Sequence, residues 1–563
     1  MSRERVSQPI SAASVDSAVT HQDETDAILW PGHTALGIEF GSTRIKACLI
    51  DADEPGRVLA VGAHEWENEL VDQLWTYSLD SVWEGVQAAY AQLVANVRRD
   101  YGVTLRSVGS IGISAMMHGY LAFDEQGQLL VPFRTWRNTN TGRAAKELSR
   151  EFGVNIPLRW SIAHLHQVVL DREEHLPRVS FLTTLAGYVH WKLTGKRVLG
   201  VGDASGMFPI DPATRDYDVQ LLQRYDALVA DQLPTSHVSE LLPRVLVAGD
   251  DAGRLTSEGA ALIDLSGDLQ PGILLCPPEG DAGTGMVATH SVAPRTGNVS
   301  AGTSIFAMVV LERPLTNVHD ELDLVTTPAG DLVAMVHCNN GASELAEWVD
   351  LFGEYAHAAG IQLDSDESYE ILFKAALSAP ADAGGLLAYN HLAGEPLAGL
   401  DEGRPLVVRT PGSQLRLGTF MRAQLYGVFA TLALGMKVLY DEKVALDTMY
   451  AHGGMFRTAG VAQQFLAGAL GVPVSLAQTA SEGGAWGIAV LAAFAATLSS
   501  DETHPGDLSE YLSRRVFGDF TFDTVEPDPV DVAGFSHYLV RYTAGLEIER
   551  TAVSALSSEG APA

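Results

Sequence analysis

Asp281 is the residue whose neighbours best suit it to chemistry. It lies in Glu279-Gly280-Asp281-Ala282-Gly283, where glycine and alanine leave a single carboxylate unobstructed. Such a group can accept the proton of an attacking hydroxyl during phosphoryl transfer. Asp is also a good N-cap for the helix expected to follow, and from spacing alone the cap is the stronger reading. Two glycine–hydroxyl turns, Gly41-Ser42-Thr43 and Gly302-Thr303-Ser304, offer backbone N–H groups and small side chains. That combination can surround phosphate oxygens without a Walker loop. Lys46 adds local positive charge. At His452-Gly453-Gly454, the absence of side chains on the two glycines lets a flat ring lie against the backbone. A plain strand-to-helix turn explains the same residues.

Other chemistries find little support. No Gly-x4-Gly-Lys-Ser/Thr loop occurs, and no Gly-x-Ser-x-Gly elbow. Gly283-Thr284-Gly285-Met286-Val287-Ala288 matches a loose dinucleotide pattern, but Pro277-Pro278 rather than a strand precedes it. His164-x-His166 has metal-like spacing without an accompanying acid or cysteine cluster, so it reads as a packed pair.

The elements that must position these residues are mixed. Strands are predicted at 35–40, 45–50, 58–61, 107–114 and 120–123, and again at 297–300, 305–311 and 332–337. Ser81 and Glu84 have capping-box spacing, and Val82, Val86, Tyr90, Leu93 and Val97 share one helical face behind them. Further helices are predicted near 144–151, 182–193, 344–352, 420–440 and 462–470. This mixture excludes all-α and all-β folds. Residues 36–50 and 297–311 both read strand, glycine–hydroxyl turn, strand, a weak repeat that two unrelated hairpins would match equally well.

The chain of 563 residues is 46% apolar and 19% charged, an ordinary globular composition with room for two to four domains. Its net charge of −33 repels phosphate backbones and anionic lipid, which argues against nucleic-acid or membrane-surface binding as the main role. Cys48, Cys276 and Cys338 are too scattered for a disulfide framework or a zinc cluster. Residues 1–30 are polar, with no apolar signal core, and read as a disordered extension. The longest apolar run, 485–498, is too short for a bilayer, which needs about 20 residues. The expectation is a soluble, cytoplasmic protein.

The order of these pieces resembles that of the FGGY carbohydrate kinases, in the xylulokinase-like branch, from about Leu36 to Ala492. Glu39-Phe40-Gly41-Ser42-Thr43 resembles the first phosphate motif, with Glu39 in place of Asp. Ser300-Ala301-Gly302-Thr303-Ser304 resembles the second, and His452-Gly453-Gly454 the adenosine motif. Trp191-Lys192-Leu193-Thr194-Gly195 and Glu482-Gly483-Gly484-Ala485-Trp486-Gly487 are similar to two further family segments. Gly280-Asp281-Ala282 resembles the segment that carries the catalytic base, which reverses the capping preference at Asp281. Ser114-Ala115-Met116-Met117-His118-Gly119 is similar to the segment whose Met and His touch the sugar. The next sugar motif, Trp-Asn/Gln-Asp-x-Arg, reads Trp136-Arg137-Asn138-Thr139-Asn140, and Arg137 or Arg143 stands near enough to replace the missing cation.

The resemblance implies an α/β fold with two RNase H-like (actin-like ATPase) domains and an interdomain catalytic cleft. It makes residues 1–33 a disordered extension, 34–290 the sugar-binding domain, 291–500 the nucleotide-binding domain and 501–563 a helical extension with a disordered tail. It implies ATP as co-substrate and Mg²⁺ near Glu39 and Asp281. Gly41, Ser42, Thr43, Lys46, Gly302, Thr303, Ser304, Gly453 and Gly454 would hold ATP. Met117, His118, Trp136 and Asn138 would join Asp281 around a sugar, D-xylulose first, with L-ribulose, L-fuculose or glycerol as alternatives. Many relatives are dimers, so a homodimer stays open. A non-catalytic actin-like ATP-binding protein is the reading from another class.

Overall fold

In the computed structural model the described residues are 32–230, 232–456, 458, 460–476, 483–499 and 506–556. Most of the expected N-terminal extension, the end of the tail and Glu482 lie outside them.

Two sheets organise the molecule, and the hairpin repeat seeds both. In the first, Thr34–Phe40 pairs antiparallel with Arg44–Asp51 across the Gly41-Ser42-Thr43 turn, and Val58–Glu65 continues the meander. On its other edge Thr34–Phe40 takes a parallel partner, Ser110–Ala115, followed by Leu274–Leu275. In the second, Thr296–Ala301 and Ile305–Val310 form the hairpin and Leu332–Cys338 extends it. Thr448–His452 and then Val474–Leu476 lie parallel on the other edge. The strand order is therefore the same in both sheets. Asp323–Thr326 and Asp523–Val525 add edges to the second only.

Helices cover the sheets where glycine removes the obstacle. The Leu79–Tyr101 helix buries Val82, Val86, Tyr90, Leu93 and Val97, the face its periodicity predicts. It crosses Gly62 so closely that a Cβ there would lie 2.0 Å from the Ala89 carbonyl oxygen. Its cap is Ser78, not Ser81: the Ser78 Oγ accepts the Ser81 N–H at 3.0 Å. The predicted 182–193 helix is also divided. Phe181–Thr183 is a strand, and Thr184 caps a helix over Leu185–Thr194. The β-branched Thr183-Thr184 pair favours the extended start.

The Gly483–Ser499 helix, late in the chain, returns to the first sheet. It lies over Gly37 and Gly112, which face each other in register. A Cβ on Gly37 would stand 2.0 Å from the Ala485 carbonyl oxygen, and one on Gly112 2.5 Å from that of Ile488. The 485–498 apolar run is thus core. So is Leu417–Asp441, which among the described residues is the helix long and apolar enough to cross a membrane, and which is mostly buried inside the protein. The Pro529–Ala555 helix docks on the second body through Arg422–Asp531 and a buried His391–Glu549 pair at 2.8 Å.

The two bodies touch directly. The Thr326 N–H donates to Ser205 Oγ at 3.1 Å and its hydroxyl to the Val201 carbonyl at 3.0 Å. Around those contacts lies a cleft.

Candidate active site

The cleft encloses about 1240 Å³. Glu39, Ser42, Lys46, Met117, His118, Trp136 and Asp281 line it from the first body, and Ser304, His337 and His452 from the second. A smaller cavity of about 290 Å³ lies beside Gly302, Thr303 and Gly454, against the start of the Ser343–Ala358 helix.

Asp281 opens the Asp281–Ala288 helix, and Gly280 is that helix's N-cap. Asp281 thus stands one residue inside the cap position. It accepts the N–H of Met117 at 3.2 Å and of Ala282 at 3.0 Å. Burial pushes its pKa up, partly offset by these N–H groups and by the Arg159 charge. The result is a carboxylate more basic than usual and partly open to the cleft. Behind it, Glu279 fills a niche lined by Gly200 and Gly202 and accepts the N–H groups of Gly202 and Asp203. Asp203 accepts the Thr184 hydroxyl at 2.6 Å. Burial raises both pKa values, with the Asp203 charge adding to the shift at Glu279 and the Asp281 charge to that at Asp203.

Met117 and His118 follow the end of the Ser110–Ala115 strand. Gly280 makes room for Met117, since a Cβ there would lie 2.1 Å from the Met117 Cγ. His118 has a left-handed φ of 70°, and Gly119 follows at 89°. For a histidine this conformation is uncommon and points to a turn held by its surroundings. The His118 Nδ1 lies 3.3 Å from the Gly206 carbonyl, and its ring stacks on Trp160. Burial first, then Arg159, holds its pKa well below the ordinary value, so the ring is neutral. With Nδ1 donating to Gly206, Nε2 is left as an acceptor for a hydroxyl.

Trp136 lines the cleft, but Asn138 does not. The Asn138 amide donates to the Trp75 and Thr135 carbonyls at 2.8 and 3.1 Å, and its oxygen accepts the Trp75 N–H at 2.8 Å. That use ties the loop to the Leu74–Thr76 strand and leaves the side chain buried, which corrects the expectation of a sugar contact. Arg137 does line the cleft, with its guanidinium over the Trp75 ring at 4.0 Å, whereas Arg143 does not. Arg159 and Asn155 also line it. No motif marks either residue in the sequence.

Both phosphate-type turns are held from behind by their carbonyls. Trp66 Nε1 donates to Gly41 O at 2.7 Å, Tyr77 OH to Ser42 O at 2.7 Å, and the Trp66 N–H to Thr43 O at 3.1 Å. In the second turn, the Ala342 N–H donates to Gly302 O and the Gly341 N–H to Thr303 O, both at 2.8 Å. The Gly41 and Gly302 N–H groups close the turns on Arg44 O and Ser304 O at 3.0 and 2.9 Å, so it is the N–H groups after each glycine that are suited to meet an anion. Ser42 and Ser304 reach the large cleft, Gly302 and Thr303 the small cavity, and Gly41 and Thr43 line neither of them.

Gly453 is forced: its φ is 111°, and a Cβ would lie 2.3 Å from the Ala301 carbonyl oxygen. Gly454 has open space at the same position, within the small cavity. Glu39 faces Lys46 in register and rests against Gly484, where a Cβ would sit 2.2 Å from the Glu39 carboxylate. No group of three or more His, Cys, Asp or Glu side chains that could hold a metal occurs among the described residues. Two carboxylates in a cleft suit Mg²⁺, which keeps several waters and takes other ligands from substrate phosphates.

A two-bodied fold with a glycine–hydroxyl turn in each body and the raised Asp281 carboxylate in the cleft between them is an arrangement suited to phosphoryl transfer. Residues 34–268 match the N-terminal domain of the FGGY family of carbohydrate kinases, and residues 297–496 its C-terminal domain. The chain belongs to this family, whose members take ATP as co-substrate. It is 21% identical over 436 residues to the xylulose kinase of Haemophilus influenzae, covering 74% of this chain and 82% of that protein. The xylulose kinase structure from Rhodospirillum rubrum is similar over 92% of this chain and 98% of that one, with a TM-score of 0.72 and 20% identity. A gluconate kinase structure from Lactobacillus acidophilus has the same TM-score at 18% identity, covering 93% and 98%. At such identities these structures speak for the fold. Family membership makes the protein an enzyme and sets aside the non-catalytic reading.

Proposed function

We propose that this kinase transfers the γ-phosphoryl group of ATP to the terminal hydroxyl of D-xylulose, giving D-xylulose 5-phosphate and ADP, with Asp281 as general base. The observation that carries the base assignment is the Asp281 carboxylate, raised in basicity and partly open to the cleft. The likeness to a xylulose kinase over most of both chains supports the sugar.

Met117 and the neutral His118 orient the acceptor, with Trp136 as a wall. Asp281 takes the hydroxyl proton as that oxygen bonds to the γ-phosphorus and the bond to the ADP oxygen breaks. Ser42 and the Gly302–Ser304 turn hold phosphate oxygens, and Gly41 and Thr43 shape the first turn. Lys46 adds charge, and Gly453 and Gly454 leave the adenosine its space. Glu39 and Asp281 would hold Mg²⁺, which when bound neutralises phosphate charge. Two facing bodies restrict water access, which limits wasteful hydrolysis.

A second reading, another sugar or polyol such as L-ribulose, L-fuculose or glycerol, draws on one observation: Asn138 is occupied with Trp75 and Thr135 and does not face the cleft. Coupled detection of ADP with D-xylulose and these alternatives decides. The highest kcat/KM is expected with D-xylulose. Turnover of another acceptor with none of D-xylulose would overturn the choice of sugar.

A further inference from the structure

Glu279 lies two residues before Asp281 and does not line the cleft, yet the fold builds a niche around it. The residue is only 1% exposed. Among the described residues, backbone N–H groups rather than a cation meet its carboxyl. Oε1 accepts the Gly202 N–H at 3.3 Å and Oε2 the Asp203 N–H at 2.9 Å. Two glycines leave the space. A Cβ on Gly200 would lie 2.2 Å from Oε1, and one on Gly202 2.4 Å from Oε2. At Gly202 the three nearest atoms all belong to Glu279. Burying a carboxyl costs more than burying an apolar side chain of like volume, so filling space does not account for this residue.

The niche belongs to the 200–206 turn, which reaches three places at once. At its start it holds Glu279. In its middle the Val201 carbonyl and Ser205 Oγ take the hydroxyl and the N–H of Thr326 from the second body, at 3.0 and 3.1 Å. The Ser205 hydroxyl also donates to Gly202 O at 2.6 Å, which ties the middle of the turn to its start. At its end Gly206 O lies 3.3 Å from His118 Nδ1. On the other side of Glu279, residues 279–280 pair in parallel with 114–115, the strand end that runs on to Met117. One glycine, Gly280, then separates the anchored Glu279 from Asp281.

We propose that Glu279 is a positioning residue for Asp281, fixing the base to the turn that also holds His118 and the second body. The inference rests on Asp281 as the general base and deepens that reading. Glycine has the most backbone freedom of any residue, so without the Glu279 anchor the base would stand behind a loose joint. A misplacement of about 1 Å can cost about 100-fold in rate.

The test is steady-state kinetics of the full chain, with whichever of D-xylulose, L-ribulose and glycerol gives the wild type its highest kcat/KM. The variants are Glu279→Ala, Glu279→Gln, Gly202→Ala, Asp281→Asn, and Glu279→Ala combined with each of the last two. Glu279→Ala is expected to lower kcat about 10-fold or more, with the KM values for ATP and acceptor within about threefold. Glu279→Gln can still accept the Asp203 N–H and recovers most of the rate. Gly202→Ala keeps Glu279 but drives it from the niche, so it lowers kcat as Glu279→Ala does. It adds nothing to Glu279→Ala, where the methyl group has room. Glu279→Ala likewise adds nothing to Asp281→Asn, where no base is left to place. A kcat near that of the wild type in Glu279→Ala overturns the proposal, and so does an undiminished further fall when Glu279→Ala is added to Asp281→Asn. If Glu279→Ala is too unstable to assay, an unchanged kcat in Gly202→Ala overturns it, because the role would then be structural. An inactive Asp281→Asn beside an unaffected Glu279→Ala removes this proposal and leaves the base standing. Wild-type turnover in Asp281→Asn, or a wild type silent with all three acceptors, overturns both.

Discussion

In the first half of this kinase the central parallel strand, Ser110–Ala115, runs out into Met116-Met117-His118-Gly119. In the second half the strand in the same place, Thr448–His452, runs out into Gly453-Gly454. Both strands lie beside a hairpin whose glycine–hydroxyl turn is anchored by its carbonyls, so the frame is shared. One half keeps side chains at the strand end, and Met117 and His118 line the large cleft with Asp281, where we propose the acceptor binds. The other half removes them, and Gly454 opens onto a small cavity. Even the anchoring differs. Aromatic side chains, Trp66 and Tyr77, brace the first turn from behind, while backbone N–H groups of Gly341 and Ala342 brace the second. Duplicating a fold supplies two equivalent loops, and on the proposed function filling one and emptying the other fits them to separate ligands.

The largest way to break this contrast is to refill the empty half. Gly453→Val meets a carbonyl 2.3 Å away at a φ of 111°, and should cost about 2–4 kcal/mol of stability along with ATP binding, measured by thermal unfolding and nucleotide titration. Gly454→Ala beside it meets nothing within 4 Å, and should keep the fold while raising the ATP KM.

Emptying the filled half is the converse. His118→Ala should raise the acceptor KM about 10-fold, the scale of one lost hydrogen bond, with the ATP KM little changed in the same kinetic assay. An equal change in both would mean the halves are not separate sites.

A smaller effect separates charge from shape behind Asp281. The Asp203 carboxyl is pushed from 3.8 to about 8 in the fold. Between those values the folded chain holds a proton that the unfolded chain has released, so stability falls as pH rises from about 4 to about 8. Asp203→Asn can still accept the Thr184 hydroxyl, and it should make that fall in unfolding temperature shallower, with the remainder left to Glu279, which is also pushed up to about 8. The smallest effect is expected for Tyr77→Phe, which removes one hydrogen bond to Ser42 and should cost about 1 kcal/mol or less in denaturant unfolding.

Much of the frame was legible because hairpins leave local marks. The strand, glycine–hydroxyl turn, strand pattern at 36–50 and 297–311 corresponds to the two central hairpins. The apolar face of Leu79–Tyr101 was equally readable, although its cap lies one turn earlier at Ser78. What escaped depends on distant partners. Asn138 sits in a sugar-motif position, yet its amide is spent on Trp75, 63 residues away. Arg159 matches no pattern, and its pairing with Asp323 of the other sheet appears only in the fold. The 485–498 run could be excluded as a membrane span by length, but its seat over Gly37 and Gly112 needed the packed structure.

The most direct test of Asp281 as the base serving the acceptor half is Asp281→Asn, assayed for sugar-dependent ADP release with the KM values for ATP and acceptor measured alongside. A fall in kcat of about 100-fold or more with both KM values within about threefold is the expected result. Sugar-dependent turnover near that of the wild type would contradict it.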